Sequence, residues 1–164
     1  MYYRKGNIAD LPRLKELGII TWSQFRGELS VEHWEQLSAT LHNEQTYEEL
    51  LVTGKSILCE TSTGQLAGMT FLIPSGNPTV LYPANWSYIR FLTVHPDHSG
   101  KGIGRRLTAD CIALARSSNE TTIALHTSEM MRPACHLYES LGFKIEREIG
   151  PRLGKRYWLY KLDL

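Results

Sequence analysis

The chain has 164 residues, 42% of them apolar and 21% charged, the make-up of one globular domain with enough chain to bury a real core. With 18 basic residues against 17 acidic ones and a net charge of +1, it has no electrostatic reason to bind nucleic acid or a membrane surface. Cys59, Cys111 and Cys135 lie far apart without CxxC spacing, which excludes a disulfide framework and a zinc site and points to the reducing cytoplasm.

Met1–Gly6 reads as a short strand ended by Gly6, with no apolar core of signal-peptide length around it. Asn7–Trp22 reads as a helix with Ile8, Leu11, Leu14 and Leu17 on one face. A second helix is expected after Ser30, carrying Val31, Trp34, Leu37 and Leu41. Thr46–Glu49 has the Thr-x-x-Glu form of a capping box and is expected to open one or two further helical turns. Lys55–Pro74 then reads as a hairpin about a Ser-Thr-Gly turn, and Pro74–Asn85 as a loop rich in turn residues. Trp86–Val94 is apolar or aromatic on both faces, as a strand in the middle of a sheet should be. A helix to about Ser118 follows, striped by Ile103, Leu107, Cys111, Leu114 and Ala115. Thr121–Thr127 is a short strand. Pro133 suits the first turn of a last helix, with Ala134, Leu137, Tyr138 and Leu141 on one face and Gly142 as its stop. Phe143–Ile149 and Arg156–Leu164 are two strands around the turn Gly150–Gly154. No apolar run reaches the length of a membrane span. Residues 1–164 are therefore expected to form a single α/β (α+β) domain.

Between the central strand and its helix lies HPDHSGKGIGRRL, with Gly100, Gly102 and Gly104 at alternate positions beside Lys101, Arg105 and Arg106. Glycine inside a helix costs about 1 kcal/mol relative to alanine, so this placement needs a reason. A helix N-terminus presents free amides and a partial positive charge, and glycines let those amides approach phosphate oxygens closely. The P-loop spacing is absent, and the glycines do not follow the G-x-G-x-x-G of dinucleotide-binding folds.

Ser99–Gly104, SGKGIG, instead resembles the [RQ]-x-x-G-x-[GA] motif of the GNAT superfamily of acetyl-CoA-dependent N-acetyltransferases, with Ser99 where Arg or Gln is usual. ACHLYESLGF, from Ala134 to Phe143, is similar to the later A-x-x-LYxxxGF signature of that family. The resemblance implies a mixed, mostly antiparallel central sheet of about seven strands flanked by helices. It implies acetyl-CoA as cosubstrate and no metal, with the pyrophosphate on Gly100, Lys101, Gly102, Ile103, Gly104 and Arg105. Leu92, Thr93 and Val94 would pair their backbone with the pantetheine arm in the manner of an added strand. Homodimerisation is a tendency of the family.

Acetyl transfer to an amine needs that amine neutral, yet at pH 7 only about one lysine-like amine in a few thousand is, a handicap of about 4 to 5 kcal/mol. The leaving thiolate needs a proton. The resemblance gives that role to Tyr138, the tyrosine of the LY signature. For the base, the family often places a glutamate on the central strand two residues before the Leu-x-Val unit, where this chain has Arg90, which accepts no proton. His126, Tyr88, His95 or a held water remain open for that role. Strand alternation puts Arg90, Leu92 and Val94 on one face; the resemblance then implies that Arg90 looks into the acceptor groove, with His126 a second candidate for acceptor binding. A guanidinium there would favour an acceptor bearing an anionic group beside its amine, such as an amino acid. The acceptor class is otherwise a primary amine of a small molecule or protein. The alternative is a non-catalytic acyl-CoA-binding sensor on the same fold, which Ser99 and the absent glutamate permit.

Overall fold

A computed structural model describes every residue from Met1 to Leu164. Its strands are β1 (Tyr2–Arg4), β2 (Lys55–Glu60), β3 (Leu66–Ile73), β4 (Ser87–Val94), β5 (Thr122–Ser128), β6 (Lys144–Arg152) and β7 (Lys155–Asp163). They form one 7-stranded sheet in the order β1-β2-β3-β4-β5-β7-β6. Only β4 and β5 are parallel; every other neighbour is antiparallel. Helices α1 (Leu11–Ser23) and α3 (Glu44–Thr53) pack Leu11, Leu14, Leu17, Tyr47 and Leu50 onto one face, and α2 (Val31–His42) buries Leu41 beside them. On the other face lie α4 (Ile103–Ser117), through Ile103, Leu107, Cys111 and Ala115, and α5 (Arg132–Ser140), through Tyr138.

Local chemistry explains the helix starts. Asn7 accepts from the Ala9 N–H at 2.9 Å and Asp10 reaches back to the Asn7 N–H at 2.9 Å, a capping box one turn ahead of α1. Asn43 caps α3, so the helix begins before Thr46, whose hydroxyl instead donates to the Thr40 carbonyl. The Thr46 capping box expected from the sequence does not form, because Asn43 offers the shorter route to an exposed amide. The β6–β7 hairpin also turns more tightly than its sequence predicts. Arg152 and Lys155 still pair, leaving a turn of Leu153 and Gly154 with φ of 51° and 70°. Positive φ at both positions is the hand that matches strand twist.

The feature that shapes the site is a bulge in β4. Thr93 pairs with Met69 and Arg90 with Phe71, so Phe91 and Leu92 together face the single residue Thr70. Phe91 takes φ of 51°, a left-handed conformation costing about 1 to 2 kcal/mol, and its ring rests against Tyr47 at 5.7 Å. The extra residue shifts the alternation. Leu92 and Val94 pack with Ile103 and Leu107 on the α4 face. Arg90 stays on the opposite face, close enough to Tyr82, Tyr88 and His126 to bear on the charge of each. The expectation that Arg90, Leu92 and Val94 share a face is thus corrected. The strand also parts from β5, with which only Ser87 and Tyr88 pair.

Gly68 of β3 lets α4 close over this region. A Cβ there would come within 2.8 Å of Ile103 Cγ2 and 3.0 Å of Leu107 Cδ1, so the helix N-terminus lies hard against the sheet.

Candidate functional site

The loop from β4 to α4 is built to expose amides. His95 is buried, and its Nδ1 accepts from the Asp97 N–H at 3.2 Å, capping the single turn Pro96–His98. Gly100 and Gly102 then take φ of 74° and 80°, and a Cβ at either would meet nothing within 4 Å. No acceptor in the chain takes the N–H groups of Gly100, Lys101, Gly102, Ile103, Gly104 or Arg105, and α4 has no side-chain cap. Consecutive free amides at the positive end of a 15-residue helix form a concavity suited to an anion. The cations beside it are exposed. Lys101 Nζ donates to the Asp97 carbonyl at 2.9 Å, Arg105 donates to Ser140 Oγ at 2.6 Å, and Arg106 pairs with Asp110 at 2.9 Å.

Where β4 and β5 part, a cavity of about 210 Å³ runs between the layers. Its walls come from Ile89, Arg90, Phe91 and Leu92 of β4, Leu125, His126 and Thr127 of β5, Tyr138 of α5, and Trp22 and Leu37 from the helices opposite. Beyond Tyr88 the strand makes no ladder with β5, and the Val94 carbonyl accepts from Thr21 Oγ1 at 3.3 Å. A wider opening between α2 and the β6–β7 turn shares Leu37, Thr40, His126, Leu153 and Tyr157 with this cavity. The turn closes on α2 so tightly that a Cβ at Gly154 would stand 2.8 Å from His33 Cε1.

Tyr138 is 6% exposed, packed between Phe143 and Tyr160 at 5.9 and 6.2 Å, and its hydroxyl has no hydrogen-bond partner in the chain. Burial raises its pKa well above the ordinary tyrosine value, so the proton stays on at neutral pH. Arg90 is half-buried and takes part in none of the chain's ion pairs. His126 Nδ1 lies 2.6 Å from the Tyr82 hydroxyl. Burial first, then Arg90 and Arg152, hold the imidazole down to about 3, so it is neutral across the working range.

Of the side chains open as bases, Tyr88 and His95 are committed elsewhere. Tyr88 donates to the Asn77 carbonyl at 3.0 Å and stacks on Tyr82, while His95 caps its loop. Nothing in the sequence pointed to Tyr82 or Tyr157 at the site. Tyr82 sits in a turn-rich loop without periodicity, although a long connection carrying a lone aromatic is itself a reason to look. No cluster of three or more His, Cys, Asp or Glu side chains is placed to hold a metal, and no helix is long and apolar enough to cross a membrane.

The fold is shared with the PaiA N-acetyltransferase of Thermoplasma acidophilum in complex with coenzyme A, at a TM-score of 0.80 and 18% identity over 99% of this chain and 98% of that one. Over 68 residues the chain is 35% identical to the L-amino acid N-acyltransferase MnaT of Escherichia coli, a match that spans 40% of this chain and 39% of that protein. It is 26% identical over 134 residues to the L-methionine sulfoximine/L-methionine sulfone acetyltransferase of Salmonella typhimurium, covering 74% of this chain and 78% of that enzyme. The family model described as Acetyltransferase (GNAT) family matches residues 15–143, across the split strands and the amide-lined loop, and the chain belongs to that family.

Proposed function

We propose that the chain moves the acetyl group of acetyl-CoA directly to the primary amine of a small acceptor that carries an anionic group, an amino acid being the simplest, with Tyr138 as general acid. The observation that carries the reading is the run of unpartnered amides from Gly100 to Arg105 in the loop that follows β4, together with the unbonded Tyr138 hydroxyl in the cavity where β4 and β5 part.

Those amides fit a pyrophosphate, whose oxygens would satisfy donors the protein leaves open. Acetyl-CoA supplies an activated thioester carbonyl. The stretch of β4 beyond Tyr88, unpaired to β5, offers backbone groups to hold an extended chain leading from the loop towards Tyr138, with the Val94 carbonyl already accepting from Thr21 Oγ1. Tyr138 gives its hydroxyl proton to the departing sulfur as the C–S bond breaks and the N–C bond forms. The amine's proton leaves to water, since Arg90 accepts none and Tyr88 and His95 are engaged, and a proton from water restores Tyr138. Burial of the acceptor in the cleft disfavours its charged form and so lessens the handicap of a protonated amine.

For the acceptor, Arg90 offers a guanidinium with no acid to neutralise it. Two relatives named for amino acid or amino-acid-like acceptors support the choice. Hydrogen bonds to a charged group contribute about 1.5 to 3 kcal/mol. Arg90→Met should therefore lower kcat/KM for amino acids by roughly 10- to 150-fold while leaving neutral amines and polyamines little changed. Steady-state kinetics on both classes is the check, and equal effects on both would remove Arg90 from acceptor binding.

A further inference from the structure

The Tyr82–His126 pair decides which way His126 can act. A buried phenol has a single proton to place, and Tyr82, 1% exposed, has only His126 Nδ1 within reach of its hydroxyl, at 2.6 Å. Were Nδ1–H the donor, the Tyr82 proton would be buried with no acceptor, an arrangement that native interiors avoid. Tyr82 therefore donates, Nδ1 accepts, and the imidazole proton sits on Nε2. The tyrosine cannot turn away from this role. Its ring is stacked on Tyr88 at 4.0 Å and 7°, and its backbone closes a turn with Thr79.

Nε2 has no partner within the chain, and His126 borders both the cavity of the strand split and the outer opening. The charged and titratable groups around it are Arg90 on β4, Arg152 on β6, Tyr157 on β7 at 6.0 Å, and His33 of α2 across the opening. No Asp or Glu lines either space. The acids that Arg90 might have met are taken, Glu129 by the Arg156 N–H and Glu146 by Lys161.

We propose that His126, fixed by Tyr82 as the Nε2–H tautomer, is a hydrogen-bond donor that joins Arg90 in holding the acceptor's anionic group and takes no proton from the amine. Tyr82 is its positioning residue. The inference rests on the anionic-acceptor reading above and adds to it a second anchor and a proton inventory. The low proton affinity of His126 agrees, since a side chain that stays neutral far below pH 7 is a weak base but an undiminished donor.

The test joins spectroscopy to kinetics. Heteronuclear NMR of the imidazole nitrogens in the substrate-free protein should show His126 protonated on Nε2, and Tyr82→Phe should turn this into a mixture of tautomers. With an amino acid as acceptor, His126→Ala should raise its KM at least ten-fold with little change in kcat or in the KM for acetyl-CoA. His126→Gln, which keeps an N–H near the Nε2 position, should recover most of that loss, and Tyr82→Phe should raise KM in the same direction without a new ionisation in the pH profile. An Nδ1–H tautomer in the wild type overturns the inference. So does a His126→Gln variant that loses kcat a hundred-fold or more, the mark of a lost general base. Failure of the anionic-acceptor reading would show separately, as wild-type kinetics equal for amino acids and neutral amines of the same size; the anion-holding role then falls while the tautomer still reports on Tyr82.

Discussion

Gly102→Asp is expected to abolish binding of coenzyme A, and Gly102→Asn to weaken it by ten-fold at most. Gly102 has φ of 80°, and a Cβ there would meet nothing within 4 Å, so the pair separates charge from backbone strain. Asn and Asp are similar in size and both tolerate the left-handed region better than other residues with side chains. Only Asp sets a negative charge among amides that would otherwise receive a pyrophosphate. Two like charges 4 Å apart repel by about 1 kcal/mol in bulk water and about 4 kcal/mol near a protein surface. At the near-surface value a loss of roughly several hundred-fold is expected, since each ten-fold is 1.4 kcal/mol. Thermal unfolding reads it. At a hundred times its Kd the ligand stabilises by about 2.7 kcal/mol, a Tm rise of roughly 5 to 10 °C for a domain of this size. That rise should persist in Asn and vanish in Asp. An equal rise in both variants would put the diphosphate elsewhere.

The second large effect is on turnover. Tyr138→Phe should lower kcat by about ten-fold to a thousand-fold with little change in affinity for acetyl-CoA. The hydroxyl has no partner in the chain, so its removal strands no donor or acceptor, and the ring contacts with Phe143 and Tyr160 remain. Protonating the leaving thiolate matters less when the thiol is more acidic. An acetyl thioester of an aromatic thiol should therefore suffer less from the substitution than one of an alkyl thiol. Wild-type turnover in the variant with the alkyl thioester would take Tyr138 out of the mechanism.

The glycine loop was legible because its geometry is local: amides, glycines and a helix start are neighbours in sequence, and the two signatures place them in a fold. The alternation of β4 was not. No Gly or Pro marks the bulge at Phe91; it is held by the Tyr47 ring from α3 and by a register with β3, both distant in sequence. The face of Arg90 relative to Leu92 was mispredicted for that reason. The turn expected over Gly150–Gly154 narrows to Leu153 and Gly154 because β6 is an edge strand and tolerates Pro151, whose missing donor no neighbour needs. Tyr82 reaches His126 across 44 positions, and Gly154 meets His33 between an N-terminal helix and a C-terminal hairpin. Periodicity carries no information about such contacts, so the geometry of the glycine loop could be read in advance and the surroundings of Arg90 and His126 could not.

The most direct test of the account is to incubate the protein with acetyl-CoA and a panel of amino acids, neutral amines and polyamines, and to count free thiol and acetylated amine together. The two should appear one for one, well above the uncatalysed rate and fastest with amino acids. Tight binding of acetyl-CoA with no thiol released above that rate for any amine would contradict it, leaving an acyl-CoA-binding protein that performs no transfer.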